Sequence, residues 1–208
     1  KGVDGFATPS PVENMRQISS RVSKCFDPVG FASPYVLAGK LLLHRCWKQQ
    51  LSWDEPLPKE LLIPWTQWFT EAIFLQDYEI PRRVTVDGAV NEQIHTFGDA
   101  SELAYGAASY LRSEMADGTV VVRLIGSKTR VAPSKTTTMP RLELLAAELA
   151  ANLTVKVAKD LDMEGRQCKL WSDSTVVLAW LSKPSSSWKI FVGNRSAGIL
   201  EKFPYKQW

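Results

Sequence analysis

Ile94-His-Thr-Phe-Gly-Asp99-Ala-Ser101 is a short run of β-formers that ends on an acid and a turn residue. It predicts a strand over Ile94–Asp99. A second strand is predicted over Tyr105–Leu111, where small residues alternate. Asp117-Gly118 is a strong hairpin turn, and the valine-rich Thr119–Ser127 supplies a third strand. Lys128–Thr138 reads as a polar connector. The run Leu142-Glu-Leu-Leu-Ala-Ala-Glu-Leu-Ala-Ala-Asn-Leu153 is dense in strong helix formers, so a long helix is predicted over Pro140–Leu161, with proline at its first position. Lys169–Ser172 predicts a fourth strand, Thr175–Leu181 a short helix and Phe191–Lys202 another. The order β-β-β-α-β-α-α implies an α/β domain with a mixed sheet, a three-stranded meander followed by a crossover to a parallel strand.

Upstream the composition changes. Residues 1 to about 80 are rich in Trp, Leu and Pro and show little β-branched alternation. Ser33-Pro34 precedes a helix predicted over Tyr35–Gln50, with apolar positions at Val36, Leu37, Leu41, Leu42 and Trp47. Pro56, Pro58 and Pro64 punctuate the next stretch, and Trp65–Gln76 reads as a second amphipathic helix. The boundary falls near residue 85, giving a helical segment over 1–85 and an α/β domain over 86–208.

The chain has 208 residues, 45% hydrophobic and 23% charged, which excludes wholesale disorder, collagen and coiled coil. Cys25, Cys46 and Cys168 are odd in number and share no CxxC spacing, so they read as reduced thiols of an intracellular protein and not as a zinc site. No stretch approaches the roughly 18 apolar residues of a membrane span. Lys1–Ser10 lacks the apolar run of a signal peptide, and without an initiator Met the chain reads as a piece of a longer one. A net charge of +3 permits an anionic partner without requiring one.

Three acids stand out by position. Asp99 closes the first strand, Asp173 closes the fourth in Leu170-Trp-Ser-Asp173-Ser174, and Glu143 lies in the first turn of the long helix. Singly, each has a plain reading: an Asp at a strand end is a turn or cap residue, and a Glu in a first helical turn suits the dipole. Together, in this element order, they point elsewhere. Parallel neighbouring strands would release Asp99 and Asp173 at one end of the sheet, and a helix laid on that sheet would bring Glu143 beside them. Three crowded carboxylates repel one another until a divalent cation neutralises them. All-oxygen ligation favours Mg²⁺ or Mn²⁺, and a pair of such ions suits in-line phosphodiester displacement.

Phe97-Gly-Asp99-Ala-Ser101, Ala104-Tyr-Gly-Ala-Ala108, Arg141-Leu-Glu143-Leu-Leu-Ala-Ala147 and Ser172-Asp173-Ser174 resemble, in the right order, the ribonuclease H fold. The whole chain resembles more closely a part of the Pao/BEL retrotransposon polyprotein. That likeness is carried by Phe26-Asp-Pro-Val-Gly-Phe31, Trp53-Asp-Glu-Pro-Leu-Pro58, Ile80-Pro-Arg82, Ser127-Lys-Thr-Arg-Val-Ala-Pro133, Trp188-Lys-Ile-Phe-Val192 and Asn194-Arg195. The resemblance implies a reverse transcriptase thumb or connection over 1–85. It implies a ribonuclease H domain over 86–208 that cuts the RNA of RNA–DNA hybrids with two Mg²⁺ or Mn²⁺ ions. Asp99, Glu143 and Asp173 match three of the family's four carboxylates. The fourth, with the last strand and helix, is expected beyond Trp208, so this stretch could bind metal and yet be a poor enzyme. His44 and His95 fall in the wrong places for the family's loop histidine, and His95 reads as a strand residue. The implied partners are the hybrid and the palm and fingers of the same polyprotein, with no membrane. The implied location is the cytoplasm, in a retroelement particle, with access to the nucleus.

A hybrid-cutting domain must hold two phosphate backbones. Candidate contacts are Lys128, Arg130 and Lys135 in the connector, Ser101 and Ser174 beside the acids, and Trp188, Lys189 and Arg195 downstream, where an aromatic could stack on sugars or bases. Against this, basic loop residues are commonly just solvated, and Trp188 reads more readily as packed beneath Phe191. Arg82 and Arg83 could meet incoming nucleic acid but read as surface charges. Two alternatives remain. One is a scaffold, or a host-adopted copy, that grips nucleic acid without cutting. The other is a transposase or integrase of the same fold, which would use Glu201 and leave Glu143 without a role. An aspartic peptidase is excluded, since neither Asp-Thr-Gly nor Asp-Ser-Gly occurs.

Overall fold

The computed structural model describes residues 13–81, 83–163 and 167–208. The chain forms two compact units, Lys1–Pro81 and Arg82–Trp208. Among the described residues, no helix is long and apolar enough to cross a membrane.

The first unit holds α1 (Met15–Ser23), α2 (Ser33–Lys48) and α3 (Lys59–Glu71), followed by a 3₁₀ segment over Ala72–Asp77. Helix α1 lay outside the sequence expectation. It starts on a capping box in which the Asn14 side chain accepts from the Gln17 amide and the Gln17 side chain accepts from the Asn14 amide. Helix α3 also departs from expectation. It begins six residues before Trp65 and runs through Pro64, which read as a break. Proline removes one N–H in the second turn, and burial of Leu61, Trp65, Trp68 and Phe69 along one face outweighs that loss. Trp68 stacks between Trp65 and Tyr35 with centroids 4.9 and 4.5 Å away. The Tyr35 hydroxyl donates to the Trp68 carbonyl and the Trp68 indole donates to the Tyr35 carbonyl, both at 2.8 Å, which clamps α2 to α3.

The second unit is the α/β half. Its strands are β1 (Ala89–Ala100), β2 (Ala104–Met115), β3 (Val120–Val131) and β4 (Cys168–Trp171). Their order in the sheet is β3-β2-β1-β4, antiparallel within the meander and parallel between β1 and β4, as the element order implied. Helices α4 (Met139–Asp160), α5 (Thr175–Leu181) and α6 (Ile190–Lys202) complete it. The turn at Asp117-Gly118 closes as expected: Gly118 has φ of +84° and donates to the Met115 carbonyl at 3.0 Å. β1 and β2 are longer at both ends than the sequence indicated, and β3 runs four residues further at its C-terminal end. Lys128 and Arg130 therefore lie on β3 and not in a connector; their exposed side chains alternate with half-buried Thr129 and Val131, which is the pattern of an edge strand.

One face of the sheet is covered. Ile94 of β1, Ala107 and Leu111 of β2, and Cys168 and Leu170 of β4 pack with the Leu and Ala face of α4 and with Val177, Leu181, Ile199 and Phe203. Strand alternation sends His95, Phe97, Tyr110, Arg112 and Trp171 to the other face.

Candidate active site

Two elements deliver the two aspartates. β1 and β4 run parallel with Phe97 beside Trp171, so Asp99 and Asp173, each two residues further on, leave the sheet at the same end. Both are exposed. They line one open cleft of about 370 Å³ together with Phe97, Gly98, Trp171 and Ser172.

Topology brings Glu143 to that end. Val131 at the close of β3 pairs with Ala104, next to the turn that follows Asp99, so α4 starts at the carboxylate end of the sheet. α4 presses on β1 at Gly98, where a Cβ would stand 2.9 Å from the Ala146 carbonyl oxygen and 3.2 Å from the Ala150 Cβ. Glu143 is half-buried one turn before Ala146 on the same face of the helix.

The three carboxylates are thus brought to one end of the sheet without being drawn to a single point. Among the described residues, no three His, Cys, Asp or Glu side chains are grouped closely enough to hold a metal ion as they stand. Asp99 follows the strand parity of Phe97, on the face opposite α4, whereas Glu143 approaches from the α4 side. The donor set still suits a hard cation. Asp99 Oδ1 accepts from its neighbour's amide, Ala100 N, at 2.7 Å. None of the three acids enters an ion pair among the described residues. Mg²⁺ is commonly held by one or two carboxylates plus substrate phosphate oxygens, which an exposed aspartate pair satisfies.

The candidate nucleic-acid residues divide. Ser101 is occupied in the β1–β2 turn, where its hydroxyl donates to the Ala104 carbonyl and accepts from the Ala104 amide, both at 3.2 Å. Ser174 is the buried N-cap of α5 and accepts from Val177 N at 3.3 Å. Trp188 packs against Trp180, to whose carbonyl its indole donates at 3.0 Å, and not beneath Phe191. Arg195 covers the Phe191 ring at 3.9 Å and lies 3.4 Å from Glu148. Those four side chains serve the fold. Lys128, Arg130, Lys135 and Lys189 are exposed, and their side chains make no hydrogen bond or ion pair among the described residues. Arg83 pairs with Asp87, and Arg82 lies outside the described residues.

Sequence reasoning passed over the rings beside the cleft. Trp171 lies parallel to both His95 and Phe97, each 5.9 Å away, and its indole N–H donates to His95 Nδ1 at 3.1 Å. Since the indole only donates, Nδ1 must be the acceptor, and Nε2–H then faces Gln93 Oε1 at 3.1 Å. Burial, then Arg112 and Lys169, hold the His95 pKa below its ordinary 6.5. The signal available in sequence was the alternation of His95 and Phe97, four and two residues before Asp99.

A mixed sheet in the order β3-β2-β1-β4 with its long helix crossing β1 is a ribonuclease H-like fold. The chain belongs to the family described as the Pao retrotransposon-like RNaseH-like domain, whose model matches residues 14–174. It is similar to the foamy viral protease-reverse transcriptase dRH, solved in complex with double-stranded DNA, at 14% identity and a TM-score of 0.52. That match covers 93% of this chain and 31% of the viral one, so the chain spans about a third of that relative. RNase H1 from the archaeon Halobacterium salinarum NRC-1 matches at 16% identity with a TM-score of 0.33, over 54% of this chain and 78% of its own. The N-terminal RNase H domain of rv2228c from Mycobacterium tuberculosis, solved as a fusion with maltose binding protein, matches at 14% identity with the same TM-score of 0.33, over 56% and 78%. No curated protein matches the chain.

Proposed function

We propose that the chain is the hybrid-cutting part of a retrotransposon reverse transcriptase polyprotein, hydrolysing RNA in RNA–DNA hybrids with Mg²⁺ or Mn²⁺. The observation that carries this reading is the pair of exposed aspartates, Asp99 and Asp173, just past the ends of two parallel neighbours in one cleft. Asp99 and Asp173 would hold two ions together with phosphate oxygens of the substrate, and Glu143, one turn from the helix crossing, would supply the third carboxylate. When bound, the metal supplies charge neutralisation at the phosphate and a water of lowered pKa. Lys128 and Arg130 stand on β3 across the sheet from Asp99, beside residues paired to its own register, and Lys135 lies in the following loop. These cations, with Lys189, would hold the backbones and fix the register of the hybrid. The helical unit would act as the thumb or connection, working with the palm and fingers of the same polyprotein in a cytoplasmic particle that can reach the nucleus.

A second reading has an observation of its own. Because the three carboxylates are not grouped, a scaffold that grips hybrid without cutting it is the alternative. The experiment that separates the two is cleavage of a hybrid carrying a 5′-labelled RNA strand in Mn²⁺, with Asp99→Asn alongside and a filter-binding assay on both. Cleavage by the parent chain that falls a hundredfold or more in Asp99→Asn supports the nuclease. Hybrid bound equally by both proteins and cut by neither makes the chain a scaffold.

A further inference from the structure

α4 begins without the usual means of holding a helix start. Its N-cap, Thr138, makes no side-chain hydrogen bond, no acid stands in the first turn, and the third residue is the cation Arg141. A start left without a side-chain cap, with a positive charge at the positive end of the helix dipole, is prone to fray. Yet this turn leads straight into Glu143, the fifth residue of the helix and one of the three site acids.

What holds the turn is α6. The Arg141 guanidinium lies over the Phe191 ring, 4.8 Å from its centroid. Arg195, one turn further along α6, lies over the same ring at 3.9 Å, donates to the Phe191 carbonyl at 3.3 Å and stands 3.4 Å from Glu148 of α4. Arg141 and Glu148 are two turns apart along one side of the helix. Glu143 comes two residues after Arg141, about 200° around the axis, and so lies on the side that meets β1 at Ala146. The start of α4 is therefore gripped from opposite sides, by Gly98 of β1 and by Phe191 of α6.

The grip is itself anchored, and the anchor leads to an aspartate. A Cβ on Gly193 of α6 would stand 2.9 Å from the Ser185 carbonyl oxygen, so α6 lies hard against the segment before it. Trp188 in that segment donates to the Trp180 carbonyl of α5, and α5 starts from Ser174, the residue after Asp173. Phe191 and Trp180 both pack against the core that α4 covers. A continuous run of packed groups thus joins Asp173 to the turn that precedes Glu143.

We propose that Phe191, with Arg141 and Arg195, is a positioning residue for Glu143. The two cations stacked on its ring fix the first turn of α4 against β1, and so set where the third carboxylate stands relative to Asp99 and Asp173. The consequence for cleavage rests on the nuclease reading above, whereas the ordering of the turn does not.

The test has two arms, both on the full chain. In the first, amide hydrogen exchange is followed without metal over residues 141–145 of α4 and, for contrast, over 146–157. Phe191→Leu keeps apolar bulk but removes the ring face, and Arg141→Ala removes a cation. Each is expected to speed exchange over 141–145 by roughly threefold to tenfold while 146–157 stays within about twofold. Phe191→Tyr keeps the ring and should exchange like the parent. In the second arm, cleavage of the hybrid in Mn²⁺ should show kcat lowered by about tenfold in Phe191→Leu, KM within about twofold, and kcat restored in Phe191→Tyr. Unchanged exchange in Phe191→Leu and Arg141→Ala overturns the proposal whatever the rates. So does faster exchange along the whole of α4, or a raised KM with kcat untouched, since Phe191 would then serve general packing or substrate binding. A parent that cuts no hybrid removes the nuclease reading alone, and the exchange arm still decides whether Phe191 orders the turn.

Discussion

Thr96 lies three residues before Asp99 on the covered face of β1, and its hydroxyl is 2.6 Å from that of Ser109 and 2.7 Å from that of Thr154. All three residues are fully buried, and Thr154 also donates to the Ala150 carbonyl at 2.8 Å. This relay ties β1, β2 and α4 together through polar atoms in an otherwise apolar layer. Thr96→Val keeps the shape and removes the middle member, leaving the Ser109 hydroxyl buried without it. The expected loss is about 1–3 kcal/mol, read as a lower urea midpoint, with Ser109→Ala in the same background recovering part of it. No sequence pattern exposes such a relay, since its members are 13 and 58 residues apart. On the other face, His95 must be neutral to accept from Trp171. Its pKa is held below 6.5 when folded, so the unfolded chain takes up a proton first as pH falls. The stability tied to neutral His95 is therefore complete above pH 6.5 and is lost on acidification below it. Melting temperatures at pH 7.5 and 5.5 should differ less in His95→Phe than in the parent, and an unchanged difference would deny His95 any part in the acid response.

At the scale of elements, Gly98 is where the carboxylate end of the sheet is set. Its missing Cβ lets α4 lie against β1, and the atom it would strike is backbone, the Ala146 carbonyl, which has nowhere to go. Gly98→Ala should cost about 1–3 kcal/mol by pushing the helix outward. Because Glu143 rides on that helix and Asp99 is the next residue in β1, the cleavage we propose should fall further than the stability loss alone implies. A variant as active as the parent would mean the crossing does not position the site. The same elements show how much was legible beforehand. α4 and the parallel partnership of β1 and β4 could be read because helix formers, turn residues and apolar alternation all agreed along those segments. Strand ends such as Asn91-Glu-Gln93 carry no alternation of apolar residues, so β1 read short. α1 is nine residues of mostly polar sequence whose three buried side chains, Met15, Ile18 and Val22, gain their meaning only against α2 and α3. Of the site, the acids were legible as positions, but the local hydrogen bonding of Ser101 and Ser174 was not, because cap and turn duty depends on backbone geometry that residue type only permits.

The whole molecule has two cores. Trp65, Trp68, Leu61, Ile18 and Cys46 belong to one, while Ile94, Leu111, Leu144, Leu170 and Ile199 belong to the other, each lying within its own unit. A unit with a contiguous apolar core of its own can unfold as its own cooperative step. Trp65 is fully buried against Trp68 and Phe69, so Trp65→Ala removes a large ring from the helical core at an expected cost of about 3–5 kcal/mol. That loss should lower the melting of the helical unit and leave that of the α/β unit in place, followed by placing ¹⁹F labels on the buried Cys46 and Cys168, one in each core. Residues 83–208 expressed alone should melt in a single transition close to that of their unit in the full chain. If Trp65→Ala instead shifts both labels together, the two cores are energetically one. The placement of Asp99 and Asp173 would then depend on the stability of the helical half, as well as on the sheet that carries them.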